Sequence, residues 1–342
     1  MSFARSLSPW LKRAARLGVA CFLLAAVLGR VNLAQAIALW GRARPTPLAL
    51  AVGVFFPLTL VLWAVRWQLI LRLLEIRLPF PRALLYSLIG NFAGLFLSDT
   101  MGGFIKVFYL REDGHPSARA FFSVFLDKTW EVAMLLSFGL GGLLAFPALL
   151  GRSWLALAAS LVGLALVALL VKTFGPRGAR WWLRFVQGHF SGRIARWAGA
   201  SIADLLEATG RVSWQGWMQV WGASILVRLT HFVCSYLLAL SLGISISFPT
   251  LVAVMSVVGI IASLPLSIGG LGTREATMVA AFGLLGLPAH QALAFSFLIF
   301  LVGLFWRSVG VFGWLRRPLG FSALRMSAPT GSLPEAAKGE AR

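Results

Sequence analysis

The chain has 342 residues, 59% of them hydrophobic and 12% charged, and its mean hydropathy is +0.84. A soluble domain carries about 25% charged residues, so a water-soluble globule is excluded. Lys and Arg number 31 against 11 Asp and Glu, a formal charge of +20. In so apolar a chain that charge points to cytoplasmic loops and anionic lipid rather than nucleic acid.

Five windows, 45–65, 132–151, 153–171, 229–273 and 276–306, contain no Lys, Arg, Asp or Glu. A bilayer's hydrocarbon core takes about 20 apolar residues as helix. No series of alternating ten-residue segments separated by turns occurs, which argues against a membrane barrel. The sequence predicts an all-α polytopic membrane protein.

In chain order, 17–40 reads as a first span behind Arg5, Lys12, Arg13 and Arg16. Ala34-Gln35-Ala36 also permits a cleaved signal over residues 1–36. A second span covers 48–65. Residues 82–114 are apolar but interrupted by Gly102-Gly103, and read as a re-entrant hairpin. Spans at 117–147 and 153–172 follow, then a mixture of Arg, Trp and small residues at 178–210 that reads as an interfacial amphipathic helix. A span at 216–242, a second hairpin at 249–287 interrupted by Gly269-Gly270, and a span at 290–315 complete one membrane domain over 1–317. Residues 318–342, rich in Ser, Pro, Ala and Gly, read as a disordered cytoplasmic tail. The expectation is about six full spans and two broken hairpins.

Basic residues gather before Leu17, at Arg66, Arg72, Arg77 and Arg82, over 172–196, and at Arg316-Arg317. The connections 146–153 and 243–250 hold one Arg and none. The positive-inside rule then puts the clusters and both termini on the cytoplasmic side of a cell inner membrane, with Arg42 and Arg44 as exceptions. Trp10, Trp40, Trp67, Trp130, Trp154, Trp181, Trp182, Trp214 and Trp314 fall near the ends of apolar windows, as an interfacial belt does. Cys21 and Cys234 lie in apolar runs and read as small hydrophobes.

The halves at about 48–147 and 216–315 resemble one another. Leu78-Pro79-Phe80-Pro81 is matched by Ile246-Ser247-Phe248-Pro249. Pro116…Ala120-Phe121-Phe122-Ser123-Val124-Phe125-Leu126 aligns without gaps to Pro288…Ala292-Leu293-Ala294-Phe295-Ser296-Phe297-Leu298. Apolar helices built from few residue types also look alike by chance. Combined with the threading, the halves have opposite orientation, the inverted-repeat plan that places binding at the midplane.

The tips of the two hairpins carry the polar chemistry. The first contains Asp99, Gly102, Gly103 and Lys106; the second contains Gly269, Gly270, Arg274 and Glu275. A half-helix beginning after each glycine pair would offer free N–H groups and a positive dipole end to an anion. Lys106 and Arg274 would add a cation within the first turn. Two such sites facing each other suit a phosphate headgroup. The alternative is that the glycine pairs only allow close helix packing.

Other ionisable residues fall in apolar surroundings: Asp127, Lys128 and Glu131 on one helix, Arg228 and His231 on another, and Arg307 in the last span. Each charge at the bilayer centre costs about 2.5–3.5 kcal/mol on insertion scales. Pairing within the bundle or a hydrated cavity offsets that cost. The acids Asp99, Asp127, Glu131 and Glu275 could couple transport to protons; equally, Lys128–Glu131 reads as a local ion pair and His231 as a core polar group.

The pattern Pro265-x-x-x-Gly269-Gly270-x-Gly272-x-Arg274-Glu275, followed by a span ending near Arg307, resembles the lysylphosphatidylglycerol synthase-type flippase domain. The first half is similar through Arg66-Trp67, Asn91, Gly102-Gly103 and Asp127-Lys128. The resemblance covers about residues 10–317. Ser98 stands where the family usually has a proline, and the soluble aminoacyl-transfer domain of fused members does not follow. The resemblance implies lipid translocation without aminoacylation.

Three functions compete. A flippase would move an anionic phospholipid or a polyprenyl-phosphate-type lipid between leaflets by rocking of the repeats. An intramembrane enzyme is disfavoured: there is no H-E-x-x-H, no G-x-S-x-G and no group of His and acids at metal spacing, and no cofactor is called for. A non-transporting partner would organise lipid for a separate synthase or glycosyltransferase, a lipid-modifying enzyme.

Overall fold

The computed structural model describes residues 33–96, 99–145, 213–263 and 272–318. Every regular element among them is helical. The first, α1, is Leu33–Gly41. The second, α2, runs over Pro45–Leu73 and contains one π-helical turn at Ala51–Phe55. Pro57 explains that turn. It has no N–H to donate to the carbonyl one turn back, and its ring crowds that carbonyl. The Phe56 N–H therefore bonds to the Ala51 carbonyl, which strands the carbonyl of Val52. Trp306 repairs the gap, donating its Nε1–H to Val52 O at 2.9 Å.

The apolar piece 82–114 is broken, as the sequence predicts. It forms α3 (Phe80–Gly94), one turn α4 (Asp99–Gly103) and α5 (Ile105–Glu112). The 15 residues of α3 reach only about 22 Å, short of the roughly 30 Å hydrocarbon core. Both α4 and α5 fold back against α3. Gly102 makes this possible: a Cβ there would lie 2.3 Å from Gly94 N and 2.5 Å from Gly90 O. The piece 249–287 behaves likewise, forming α8 (Phe248–Ser263) and α9 (Thr273–Leu284), which pack together.

The long helices are α6 (Ser117–Ala145), α7 (Trp214–Ser241) and α10 (Ala289–Ser308), the last continued by α11 (Gly310–Arg316) after a turn at Val309. Among the described residues three stretches are long and apolar enough to cross a membrane: Pro45–Leu73, Trp214–Ser241 and Ala289–Arg316. The 29-residue α6 matches them in length but carries Asp127, Lys128 and Glu131 near its middle. Of the other expected segments, most of 17–40, all of 153–172 and 178–210, and the tail from 319 on lie outside the described residues.

One reading of the basic residues changes. The positive-inside reading groups Arg66 with loop cations; the second span instead runs eight residues past position 65, to Leu73, and buries Arg66 inside it. The core positions this helix firmly. Trp67, Ile70 and Leu71 are fully buried, and α2 packs along α7.

Candidate functional site

Five elements of the first half converge on one polar cavity. Its lining comprises Trp63 and Arg66 from α2, Ser87, Gly90 and Asn91 from α3, Gly103 and Lys106 around the α4–α5 joint, and Asp127, Lys128 and Glu131 from α6. Helical spacing accounts for the grouping, since residues three or four apart share a face.

Asp127 is the hub. Arg66 Nη2 lies 2.8 Å from Asp127 Oδ1, and Arg66 Nε donates to the same oxygen at 3.0 Å. Lys106 Nζ donates to Asp127 Oδ2 at 3.1 Å and also sits 4.4 Å from the Trp67 ring centroid, a cation–π contact. Trp67 in turn donates to Ser123 Oγ at 3.3 Å. One turn along α6, Lys128 Nζ donates to Glu131 Oε2 at 2.9 Å. Arg228 of α7 stands behind, its Nη2 3.5 Å from the Glu131 carbonyl. Arg66, Lys106, Asp127 and Arg228 are all buried.

The cavity lining thus holds three cations and two carboxylates, with a fourth cation behind. Low local dielectric strengthens such charges and makes any imbalance costly. Several donors are also idle. Trp63 Nε1, Ser87 Oγ and Arg228 Nε are buried with no hydrogen-bond partner among the described residues.

The second tip is arranged differently. Gly272, at φ +81°, caps α9, and its N–H donates to Glu275 Oε2 at 2.7 Å. Arg274 Nη2 pairs with Glu275, Arg274 Nε donates to Glu275 Oε1 at 3.0 Å and Ser296 Oγ at 3.1 Å, and Ser296 donates to Glu275 at 3.0 Å. The guanidinium lies 5.3 Å from the Phe300 ring centroid. The helix start that the sequence reading offered to an external anion is occupied by the protein's own carboxylate.

The expected site residues therefore separate. Gly103, Lys106, Asp127, Lys128 and Glu131 line one cavity; Arg274, Glu275 and Arg307 are not among its lining residues. Gly102 faces the α3 backbone, the close-packing alternative. Asp99 opens α4, Arg307 lies half-buried in the last turn of α10, and Gly269 and Gly270 lie outside the described residues. Sequence reasoning passed over Trp63, Ser87 and the pairing of Arg66. The signal was spacing: Trp63 stands one turn before Arg66, and Ser87 one turn before Asn91.

A third cluster ties the end of α11 to the first half. Tyr86 Oη donates to Asp113 Oδ2 at 2.6 Å, Arg317 Nη2 to Asp113 Oδ1 at 2.7 Å, and Tyr109 Oη to the Arg317 carbonyl at 2.7 Å. Asp113 lies in the connection between α5 and α6. Burial alone would push its carboxyl up, but the bonds from Tyr86 and Arg317 and the charges of Arg317 and Arg82 hold it below its ordinary value.

The family model described as the lysylphosphatidylglycerol synthase TM region matches residues 13–309. The chain belongs to this family. The match takes in every described helix up to α10 and the whole cavity. Of the first-half residues that carry the resemblance, Arg66, Asn91, Gly103, Asp127 and Lys128 line that cavity and Trp67 contacts Lys106, whereas Gly102 packs on the backbone of α3. Membership of the lysylphosphatidylglycerol synthase TM-region family makes this a helical membrane protein with a lipid-related role. A search of the curated proteins returned no match.

Proposed function

We propose that the chain is a flippase of the cell inner membrane, without enzymatic activity of its own, that takes an anionic, phosphate-bearing lipid headgroup into the Lys106 cavity and releases it on the opposite side. The observation that carries this reading is the buried excess of cations around Lys106 in a protein whose family handles lipid. A phosphate would complete the charge balance, and its acyl or prenyl chains would stay in the bilayer. Both termini are cytoplasmic in this reading, with the basic clusters.

An inverted repeat supplies the moving parts. Its support is reciprocal packing: α6 of the first half lies on α8 of the second, while α11, ending the second half, lies on α3 of the first. The contacts correspond in register. A Cβ on Gly139 would meet Ser256 and Ile260; one on Gly310 would meet Leu88 and Phe92. Leu88 and Phe92 stand eight and twelve residues after Phe80, and Ser256 and Ile260 eight and twelve after Phe248. The turns correspond too. Ile76 donates to Leu71 O with Glu75 at φ +59°, and Ile244 to Ala239 O with Gly243 at φ +70°. These are the same helix-ending bond pattern. Rocking of two such halves would open the cavity to each side in turn.

The test is reconstitution into liposomes with fluorescent phosphatidylglycerol, phosphatidic acid or polyprenyl phosphate, followed by chemical quenching of the outer leaflet. Protein should quicken loss of the protected signal for at least one of these lipids. Rates equal to protein-free liposomes for all three would refute the reading and favour a non-transporting partner of a lipid-modifying enzyme.

A further inference from the structure

The Lys106 cavity presents neutral donors as well as cations. Trp63 Nε1 and Ser87 Oγ both belong to residues that line it, both atoms are buried, and neither has a hydrogen-bond partner among the described residues. Ser87 is 6% exposed. Buried donors are nearly always bonded in folded proteins, so two orphans in one small polar cavity call for a partner from outside the protein's own side chains. The partner must be an acceptor, because an indole N–H can only donate.

The surrounding charges identify the acceptor's sign. Lys106 gives one of its three protons to Asp127, and an ammonium has two more to offer. Gly90, beside Ser87 on the same face of α3, leaves the Lys106 stem clear: a Cβ there would fall 3.1 Å from Gly102 O and 3.6 Å from Lys106 Cγ. Indole N–H, hydroxyl and ammonium therefore come from three separate elements, α2, α3 and α5, around one space. A carboxylate already fills the role of internal counter-ion through Asp127. A further anion must satisfy several donors that approach from different directions, which suits a tetrahedral phosphate better than a planar group.

We propose that Trp63 and Ser87 form the neutral half of a phosphate-oxygen cradle whose charged half is Lys106, and that they select a phosphate-bearing headgroup by hydrogen bonding rather than by charge. This rests on the headgroup site proposed above and adds its recognition residues. The lipid, rather than free phosphate, is the source, because the cavity lies among helices built to sit in a bilayer.

Native mass spectrometry of the detergent-solubilised full chain tests it, titrating phosphatidic acid, the phosphate-free lipid diacylglycerol and inorganic phosphate separately. Trp63→Phe and Ser87→Ala each remove one donor and keep most of the side-chain volume. Each should raise the half-saturating phosphatidic acid concentration at least tenfold, with diacylglycerol retention and the melting temperature unchanged. Equal phosphatidic acid binding by wild type and both variants would overturn the cradle while leaving the headgroup site standing. Retention of inorganic phosphate with no phosphatidic acid bound would overturn the lipid assignment. Absence of any phosphate ligand on the wild type would overturn cradle and headgroup site together.

Discussion

Arg66 and Asp127 meet across 61 residues of chain, with Nη2 2.8 Å from Oδ1 and both side chains buried. The pair joins α2 to α6, and Lys106 adds α5 through the second carboxylate oxygen. A carboxylate with two buried cations is satisfied; two buried cations without it are not.

Asp127→Asn should therefore destabilise the protein by about 3–5 kcal/mol, the cost of leaving a buried partner uncompensated. Replacing both members, Arg66→Met with Asp127→Leu, should recover part of that loss, since buried pairs exchanged for apolar groups are often neutral, while Lys106 still lacks its carboxylate. Denaturation midpoints in detergent check the comparison. A double variant no more stable than Asp127→Asn would refute the pairing energetics.

Gly102 and Gly103 are adjacent but differ in what they face. Gly102→Ala places a methyl 2.3 Å from the backbone of α3, whereas Gly103→Ala meets only side chains, Lys128 Cε at 3.3 Å and Val124 Cγ1 at 3.8 Å. Overpacking against backbone costs about 1–3 kcal/mol, so Gly102→Ala should lower the melting temperature clearly and Gly103→Ala little. Equal melting temperatures for the two would contradict the packing described.

Glu275 accepts from Gly272 N–H, Arg274 and Ser296 at the start of α9. Glu275→Gln loses the charge that holds this set together, while Ser296→Ala removes one neutral bond worth about 1 kcal/mol. The first should destabilise more than the second, and neither should change phosphatidic acid retention at the Lys106 cavity. A loss of lipid binding in Glu275→Gln at unchanged stability would restore the second tip to the binding site.

The Asp113–Arg317 contact should make stability depend on pH. A carboxyl held below its ordinary value of 3.8 contributes stability that is present above that value and lost as pH falls through the depressed one. Wild type should therefore lose more melting temperature than Asp113→Asn between pH 6 and pH 3. Parallel pH profiles for the two would remove Asp113 from the account.

Much of the helical layout was legible because bilayer thickness and chain charge constrain it. The break near Gly102 is visible in the sequence as an apolar piece interrupted by Gly102-Gly103; the matching pair Gly269-Gly270 lies outside the described residues. Arg66 was misread because charge counting along the sequence treats every Arg near a window's end as solvated; only its partner 61 residues away shows otherwise. Arg274 was read as a free cation, although Gly272 and Glu275 already stood at the spacing by which a Glu reaches back to its helix start. Trp63 and Ser87 carry no charge and belong to no motif, so their one-turn spacing from Arg66 and Asn91 is the only mark they leave in the sequence.

Transport through the Lys106 cavity is the central claim, and leaflet exchange by a single variant tests it most directly. In liposomes at equal protein density, Lys106→Ala should slow exchange of the transported phosphate lipid at least tenfold, and Lys106→Arg should retain most of the wild-type rate. Wild-type exchange by folded Lys106→Ala would contradict it.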